Sequence, residues 1–519
     1  MKYKTGKTAC FALAIFCLPL LLQAQERFQR LDFKVRGVIT DIIAEDLDGD
    51  KLLDLSVIHI DKSMEPPGRF LTIYRQIPGR GFDIKNKIDW TFPAEVSSMD
   101  VGDVSPDPGK ELVFLTDKGI FYSSVRGPKV GPLKEMFPAQ SVVAFAYERG
   151  VPHYRFARDY SGDGKDDILV VGFYDALYAK QMDNYQFLQQ KIEFRPSMGI
   201  MSWDMGKFLG GDDAPNFQVV YHVPRIFSYD SNADKLPDLI VTSRNIIQIF
   251  LQTGHGFTAA PARRYNLDIM KDSKSKRRQD QFPNFAFEDI DRDGRVDIVA
   301  TQTQGGMGNL KSRSLLFWGK SNGIDKNAPD IEFKMDNTVM GAFIRDANKD
   351  GLLDIIFPSM DLGAWSAGKA LVLSGIPVKW NFFLQSRDHK FKELPDRTFT
   401  TALKFNITKF RLDSGIPNIF GDYNGDGCLD QCVGEEKGAL TVSLRDCDGN
   451  LMGIDEKIVI PASLFNRAMD LNNDGLSDIL IHYEDDSEYA SDFHVLINKG
   501  PWVKKSSSTK SNPPKPAAP

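Results

Sequence analysis

Residues 159–168 read Asp159-Tyr160-Ser161-Gly162-Asp163-Gly164-Lys165-Asp166-Asp167-Ile168. Oxygen-bearing side chains stand at positions 1, 3, 5 and 9 of this stretch, a glycine stands at position 6, and an apolar residue follows. The 1-3-5-9 pattern recurs eight times, beginning at Asp46, Asp103, Asp159, Asp230, Asp289, Asp346, Asp422 and Asp470. The spacings are 57, 56, 71, 59, 57, 76 and 48, with a mean near 61. By length alone a chain of 519 residues would divide into three or four domains of roughly 150 residues. A period on this scale instead marks one repetitive array that uses nearly the whole chain.

The pattern is a chelation pattern. A hard divalent cation takes six to eight oxygens at about 2.3–2.6 Å, and calcium accepts them from a flexible loop. In the first copy the ligands would be Asp46, Asp48, Asp50, the Leu52 carbonyl and Asp54. In the second they would be Asp103, Ser105, Asp107, the Gly109 carbonyl and Glu111; in the third Asp159, Ser161, Asp163, the Lys165 carbonyl and Asp167. The fourth offers Asp230, Asn232, Asp234, the Leu236 carbonyl and Asp238, and the fifth Asp289, Asp291, Asp293, the Arg295 carbonyl and Asp297. The sixth offers Asp346, Asn348, Asp350, the Leu352 carbonyl and Asp354. The seventh offers Asp422, Asn424, Asp426, the Cys428 carbonyl and Asp430, and the eighth Asp470, Asn472, Asp474, the Leu476 carbonyl and Asp478. All 32 side-chain positions carry oxygen and 26 are carboxylates, so loops without a cation would repel themselves and up to eight structural Ca2+ ions are expected. Gly164, Gly294, Gly351, Gly427 and Gly475 occupy position 6, where the turn needs a positive φ; the first, second and fourth copies lack it. The loops are not EF-hands, because position 12 holds no Glu: it is Val57, Ala300 and Ile481 in the first, fifth and eighth copies.

Working outward, each loop runs into a short apolar stretch such as Asp297-Ile298-Val299-Ala300, the signature of a strand buried on both faces. A unit of about 60 residues has room for four strands. In the first unit these are expected over about 38–44, 55–60, 70–75 and 82–90. Four-stranded sheets repeated radially make an all-β propeller, here with eight blades, or seven if one unit stands outside the ring. The last unit supplies strands over 479–483 and 493–498 and then runs into a Lys/Ser/Pro tail. The segment 28–35 alternates, with Leu31, Phe33 and Val35 against Arg30, Asp32 and Lys34, and belongs to no unit of its own. It is expected to fill the missing outer strand of the last blade and close the ring.

On these loops the chain resembles the FG-GAP/VCBS repeat family of integrin α-subunit propellers and secreted bacterial proteins, over about residues 26–500. The resemblance implies calcium loops between strands A and B on one face, with ligands more often using the opposite face of B–C and D–A connections. Loop seven departs from the pattern, with polar Gln431 where the others carry Leu or Ile.

The ends carry no repeat. Residues 1–24 read as a secretory signal peptide, with Lys2, Lys4 and Lys7 before the 13-residue apolar run Cys10–Leu22, which is short for a bilayer span. Residues 25–503 form the propeller, and 504–519 a disordered Lys/Ser/Pro tail. The expected location is therefore secreted, periplasmic or cell-surface, with no transmembrane segment after cleavage. Of the three remaining cysteines, Cys428 and Cys447 are symmetric about Lys437-Gly438; a two-residue turn there would set them opposite each other on a hairpin, where they could pair, or stay reduced.

The full chain carries 64 basic and 70 acidic residues, a net −6, which argues against nucleic acid as a partner. Loss of the leader leaves 61 basic against 70 acidic residues, a net −9, and eight Ca2+ ions would carry this to +7. Anionic polysaccharides thereby become plausible ligands. Candidate ligand-binding residues are Trp203 in the insertion 198–213, Trp365 in the segment 358–369, and Lys274, Arg277 and Arg278 in a basic connection; a third long connection is expected over 301–314. No G-x-S-x-G, H-E-x-x-H, P-loop or dinucleotide fingerprint occurs. The expected function is a non-catalytic binding or adhesion module for a glycan or cell-surface protein. The alternative is a polysaccharide lyase, for which His153, Tyr154 and Arg155 are the adjacent candidates.

Overall fold

The structure, a computed structural model, describes residues 27–143, 150–203, 216–270, 282–305, 310–335, 337–360, 376–403, 405–406, 411–412, 417–435, 438–461, 465–483 and 487–502. Eight antiparallel four-stranded blades stand in a ring as a β-propeller. No helix occurs among the described residues, and none there is long and apolar enough to cross a membrane. The segments 1–24 and 504–519 lie outside the described residues.

Strands are lettered A to D from the axis outward. In blade 1 they are Val38–Glu45, Asp54–Asp61, Gly68–Tyr74 and Ile88–Thr91. The fourth is shorter than the expected 82–90, because Gly81–Phe82 folds back on Gln76–Ile77 as a separate ribbon. Every residue of Asp54–Asp61 is buried, since both faces of the sheet are covered by neighbouring blades.

Eight hydrophobic clusters fill the eight seams between consecutive blades, including the seam from blade 8 back to blade 1. That last seam rests on the chain's own N-terminal strand. Phe28–Lys34 pairs antiparallel with Asp492–Asn498, from Phe28 opposite Asn498 to Lys34 opposite Asp492. The ring is thus closed by the segment that the alternation singled out, and all eight units are blades.

Three readings of the connections need correction. Residues 301–304 and 311–314 continue strands B and C of blade 5, with Gln304 opposite Lys311; alternating Thr/Ser pairs keep the ladder going where Gly and Gln suggested a loop. Residues 358–360 likewise end strand B of blade 6, so that the connection is 361–375. In blade 7 the last pair before the turn is Glu435 opposite Ala439, so three residues, not two, join the strands. Cys428 and Cys447 are nonetheless disulfide-bonded, with Cα atoms 4.9 Å apart. Gln431 is accommodated across the sheet, its Oε1 accepting from Arg445 Nη2 at 2.6 Å.

Candidate functional site: the A–B loops and the axial channel

Each acidic loop joins strands A and B of its blade, and its ninth residue is the first residue of strand B. Asp54, Glu111, Asp167, Asp238, Asp297, Asp354, Asp430 and Asp478 are all at most 1% exposed. Their carboxylates tie the loop to the sheet. Asp54 accepts from Leu47 N at 3.2 Å within its loop and from Gln76 N at 2.9 Å beyond strand C. The same pair of bonds holds Asp297, from Ile290 N and Gly319 N, and Asp478, from Leu471 N and Asn498 N. Burial outweighs these bonds and pushes the carboxyls up, to about 7 for Asp54, Asp430 and Asp478 and to about 8 for Asp297.

Seven of the loops share one wrap. Positions 4 and 6 are left-handed, including at the non-glycine residues Lys51, Ala233, Lys235, Arg292, Lys349 and Asn473. The position-1 Asp pays for that conformation by accepting from the position-6 amide, as Asp46 Oδ2 does from Lys51 N at 2.8 Å and Asp470 Oδ2 from Gly475 N at 2.9 Å. The position-5 Asp accepts from the position-7 amide, as Asp234 does from Leu236 N at 2.8 Å. Carboxylate oxygens of Asp46, Asp48 and Asp50 lie within 4.8 Å of one another, as do those of Asp289, Asp291 and Asp297. Asp48 Oδ1 and Asp289 Oδ1 are buried with no hydrogen-bond partner.

The second loop is built differently. Pro106 and Pro108 stand at positions 4 and 6, and proline cannot take a positive φ. Asp107 is instead held by Ser124 Oγ at 2.6 Å and by the Arg126 guanidinium. Gly109 is left-handed at φ 83° and lies against loop 1, where a Cβ would come within 2.6 Å of Asp48 N. Its glycine serves that close approach.

One repeated contact had no signal in the loop pattern. In four blades an amide residue at or just past the end of strand C reaches back to the loop of the preceding blade. Gln181 Nε2 donates to Asp103 O at 3.1 Å, Gln252 to Ser161 O at 2.9 Å, Gln385 to Ile290 O at 3.1 Å and Asn498 Nδ2 to Tyr423 O at 2.7 Å. A polar amide at the end of these four apolar C strands was the available clue.

Strand order places the long connections together. The D–A and B–C connections leave the sheets on the face opposite the acidic loops. An extra hairpin, Ser197–Trp203 with Asn216–His222, joins blades 3 and 4 there, and Trp203 ends its first strand opposite Asn216. Lys274, Arg277, Arg278 and Trp365 lie outside the described residues, within a D–A and a B–C connection respectively. Exposed apolar side chains gather on the same face. Tyr174 is 84% exposed, and Met198, Val219, Tyr221 and Phe282 are also exposed. Tyr221 packs edge-on to Phe173, and Arg244 lies over Phe282.

His153 faces the axis. Its segment runs parallel to strand A of blade 2, bridging at Met99. The imidazole spans two carboxylates, with Nε2 3.0 Å from Asp100 Oδ1 and Nδ1 3.3 Å from Asp41 Oδ2. Burial alone would lower its pKa, but the two carboxylates outweigh burial and hold it up at about 9. Neighbouring Tyr154 is half-buried, and burial holds its phenol well above the usual range.

A testable consequence concerns pH. A histidine held above its ordinary value of 6.5 contributes fully below that value, and the contribution is lost as pH rises through about 9. The span corresponds to about 3 kcal/mol, which solvent at the half-exposed Asp41 reduces to about 2 kcal/mol. Urea unfolding at pH 6 and pH 9.5 should show wild type losing about 2 kcal/mol more than His153→Gln. Equal losses would show that the bridge is not a stabilising ion pair.

Known proteins supply the remaining comparison. An FG-GAP-like repeat model matches residues 289–357, which contain the fifth loop and the first part of the sixth blade. No curated protein matches the chain. Solved structures with similarity include an Agrocybe aegerita lectin recognising non-reducing terminal N-acetylglucosamine, at 12% identity over 91% of this chain and 95% of that one, TM-score 0.39. A second is the V. cholerae biofilm matrix protein Bap1, at 11% identity over 92% of each chain, TM-score 0.33. A third is BBS1N in complex with ARL6DN, at 10% identity over 79% of this chain and 94% of that one, TM-score 0.37.

Proposed function

We propose that this FG-GAP-type propeller is a calcium-stabilised, non-catalytic binding module, and that its ligand is a glycan or a cell-surface protein docked on the face opposite the acidic loops. The observation that carries the reading is the gathering of Tyr174, Tyr221, Met198, Val219 and Phe282 on that face, beside its long connections. Exposed aromatic rings on connections held by a rigid scaffold are a common way to engage a sugar ring or a partner protein. The N-terminal leader read from the sequence supports export to the periplasm, cell surface or medium.

The metal reading rests on the donor set. Seven loops share one wrap and the 1-3-5-9 oxygen set, two of them bring three carboxylates within 4.8 Å of one another, and the unpartnered Asp48 Oδ1 and Asp289 Oδ1 fit a cation better than they fit isolation. In the second loop prolines and the Arg126 guanidinium take the place of the wrap, so seven ions are proposed rather than eight. Bound calcium would supply charge neutralisation at one rim of the ring. The loops' own residues set the angle between strands A and B.

The lyase alternative has little support. His153 is held protonated between two carboxylates, and the Tyr154 phenol is held neutral by burial, so neither is poised as a base. The test uses the calcium-loaded chain with pectic, alginate and glycosaminoglycan polymers. Binding is expected without new absorbance at 235 nm, and Tyr174→Ala with Tyr221→Ala should weaken it about tenfold. Growth at 235 nm would overturn the non-catalytic reading, and binding unchanged in the double variant would overturn the choice of face.

A further inference from the structure

The axial channel holds a second feature. A cavity of about 580 Å³ lies between strand A of blades 1, 2, 3 and 8 and the rim of acidic loops. Such a volume falls within the roughly 300–1,000 Å³ of small-ligand sites. Charged groups make most of its wall, and they are unequally committed.

The acids are already engaged. Asp41 and Asp100 hold His153, and Asp100 Oδ2 also accepts from Phe156 N and Ala157 N at 2.7 and 2.8 Å. Glu45 holds Lys110 Nζ at 2.7 Å, and Asp166 accepts from Asp103 N at 2.8 Å. The guanidiniums are not matched in this way. Arg467 donates from Nη2 to Ile42 O at 2.6 Å, but its Nε is buried with no hydrogen-bond partner. Arg155 is exposed to the cavity and makes no ion pair among the described residues. Arg158 lies over the Tyr160 ring at 5.7 Å. Burial lowers the pKa of Arg467, Asp41 acts against that, and the like charge of Arg155 adds to the lowering. Two guanidiniums sharing a cavity, with the nearby carboxylates already paired, leave a residual positive field with forked donors.

We infer that this cavity binds the oxyanion group of a small polyhydroxylated molecule, a sugar acid or sugar phosphate, through Arg155 and Arg467. The second lone pairs of Asp41, Glu45 and Asp166 accept from hydroxyl groups of the same ligand. The site is separate from the opposite face proposed above and stands whether or not that face binds.

The test is calorimetric titration of the calcium-loaded full chain with galacturonate, galactose 6-phosphate and galactose. At least one acidic probe should bind while galactose does not, and the probe that binds identifies the oxyanion. Arg155→Ala should weaken that binding at least tenfold, and Arg155→Lys should weaken it less, since the charge remains while the fork is lost. Arg155 has no described partner, so its variants should keep the wild-type melting temperature. Failure of both acidic probes at millimolar concentration would overturn the proposal, as would equal affinity in wild type and Arg155→Ala.

Discussion

Saturating calcium is expected to raise the melting temperature of the ion-stripped chain by about 10 °C or more. Extracellular calcium modules bind at roughly 10⁻³ M at the weak end. At about 10 mM calcium each such loop then stabilises the folded chain by about 1.4 kcal/mol. Seven loops give about 10 kcal/mol, and a ring of this size has an unfolding entropy of about 1 kcal/mol/K. The physical source is the crowding of carboxylates. The oxygens of Asp289, Asp291 and Asp297 converge within 4.8 Å, and the cation removes their mutual repulsion. Thermal unfolding with EDTA and with calcium checks this, and an unchanged curve would sink the metal reading. Direct titration should give close to seven ions per chain, with Asp46→Asn or Asp470→Asn each removing one and Asp107→Asn removing none.

Loss of the N-terminal strand should be as severe. Phe33 is 2% exposed, stacks on Phe493 at 4.4 Å, and meets Tyr74 edge-on at 4.9 Å. Phe28, 4% exposed, meets Tyr423 and Trp502 edge-on. Truncating a buried Phe to Ala costs about 3–5 kcal/mol. Removing both, with seven register pairs, therefore approaches the whole net stability of roughly 5–15 kcal/mol. Phe33→Ala is expected to lower the urea midpoint by the equivalent of about 3–5 kcal/mol. Deletion of residues 27–35 should abolish the single cooperative transition. A cost under about 1 kcal/mol for Phe33→Ala would mean that blades 1 and 8 hold together without the strand.

Much of this was legible because the repeat is local. An acidic loop of nine residues specifies its own turn: Asp46 caps the amide of Lys51 and Asp234 that of Leu236, all within a few residues. The alternation of Leu31, Phe33 and Val35 against Arg30, Asp32 and Lys34 also survives in the fold: the first set meets blade 1, while the other face turns toward blade 7, where Arg30 bonds to Val459 O and Phe28 is buried. The misread stretches are those where local chemistry was overruled by distant partners. Residues 301–304 look like a loop, yet they pair with 311–314 because Thr303 and Ser312 bond across the ladder at 2.7 Å. Loop two is no misreading: it satisfies the 1-3-5-9 rule, and the titration above decides whether its different wrap, set by Pro106, Pro108 and the Arg126 guanidinium, holds an ion.

By itself the sequence determined the period, the blade, the acidic loop at each A–B turn, and the strand that closes the ring, because each depends on residues close in the chain or on a pattern repeated eight times. Only the tertiary structure decided which residues meet at the axis. Asp41, Asp100 and Arg467 come from strand A of three different blades and His153 from the connection between blades 2 and 3; they lie up to 426 positions apart, and no periodicity links them. They share a cavity because strand A of every blade is innermost. That is a property of the closed ring and not of any segment within it.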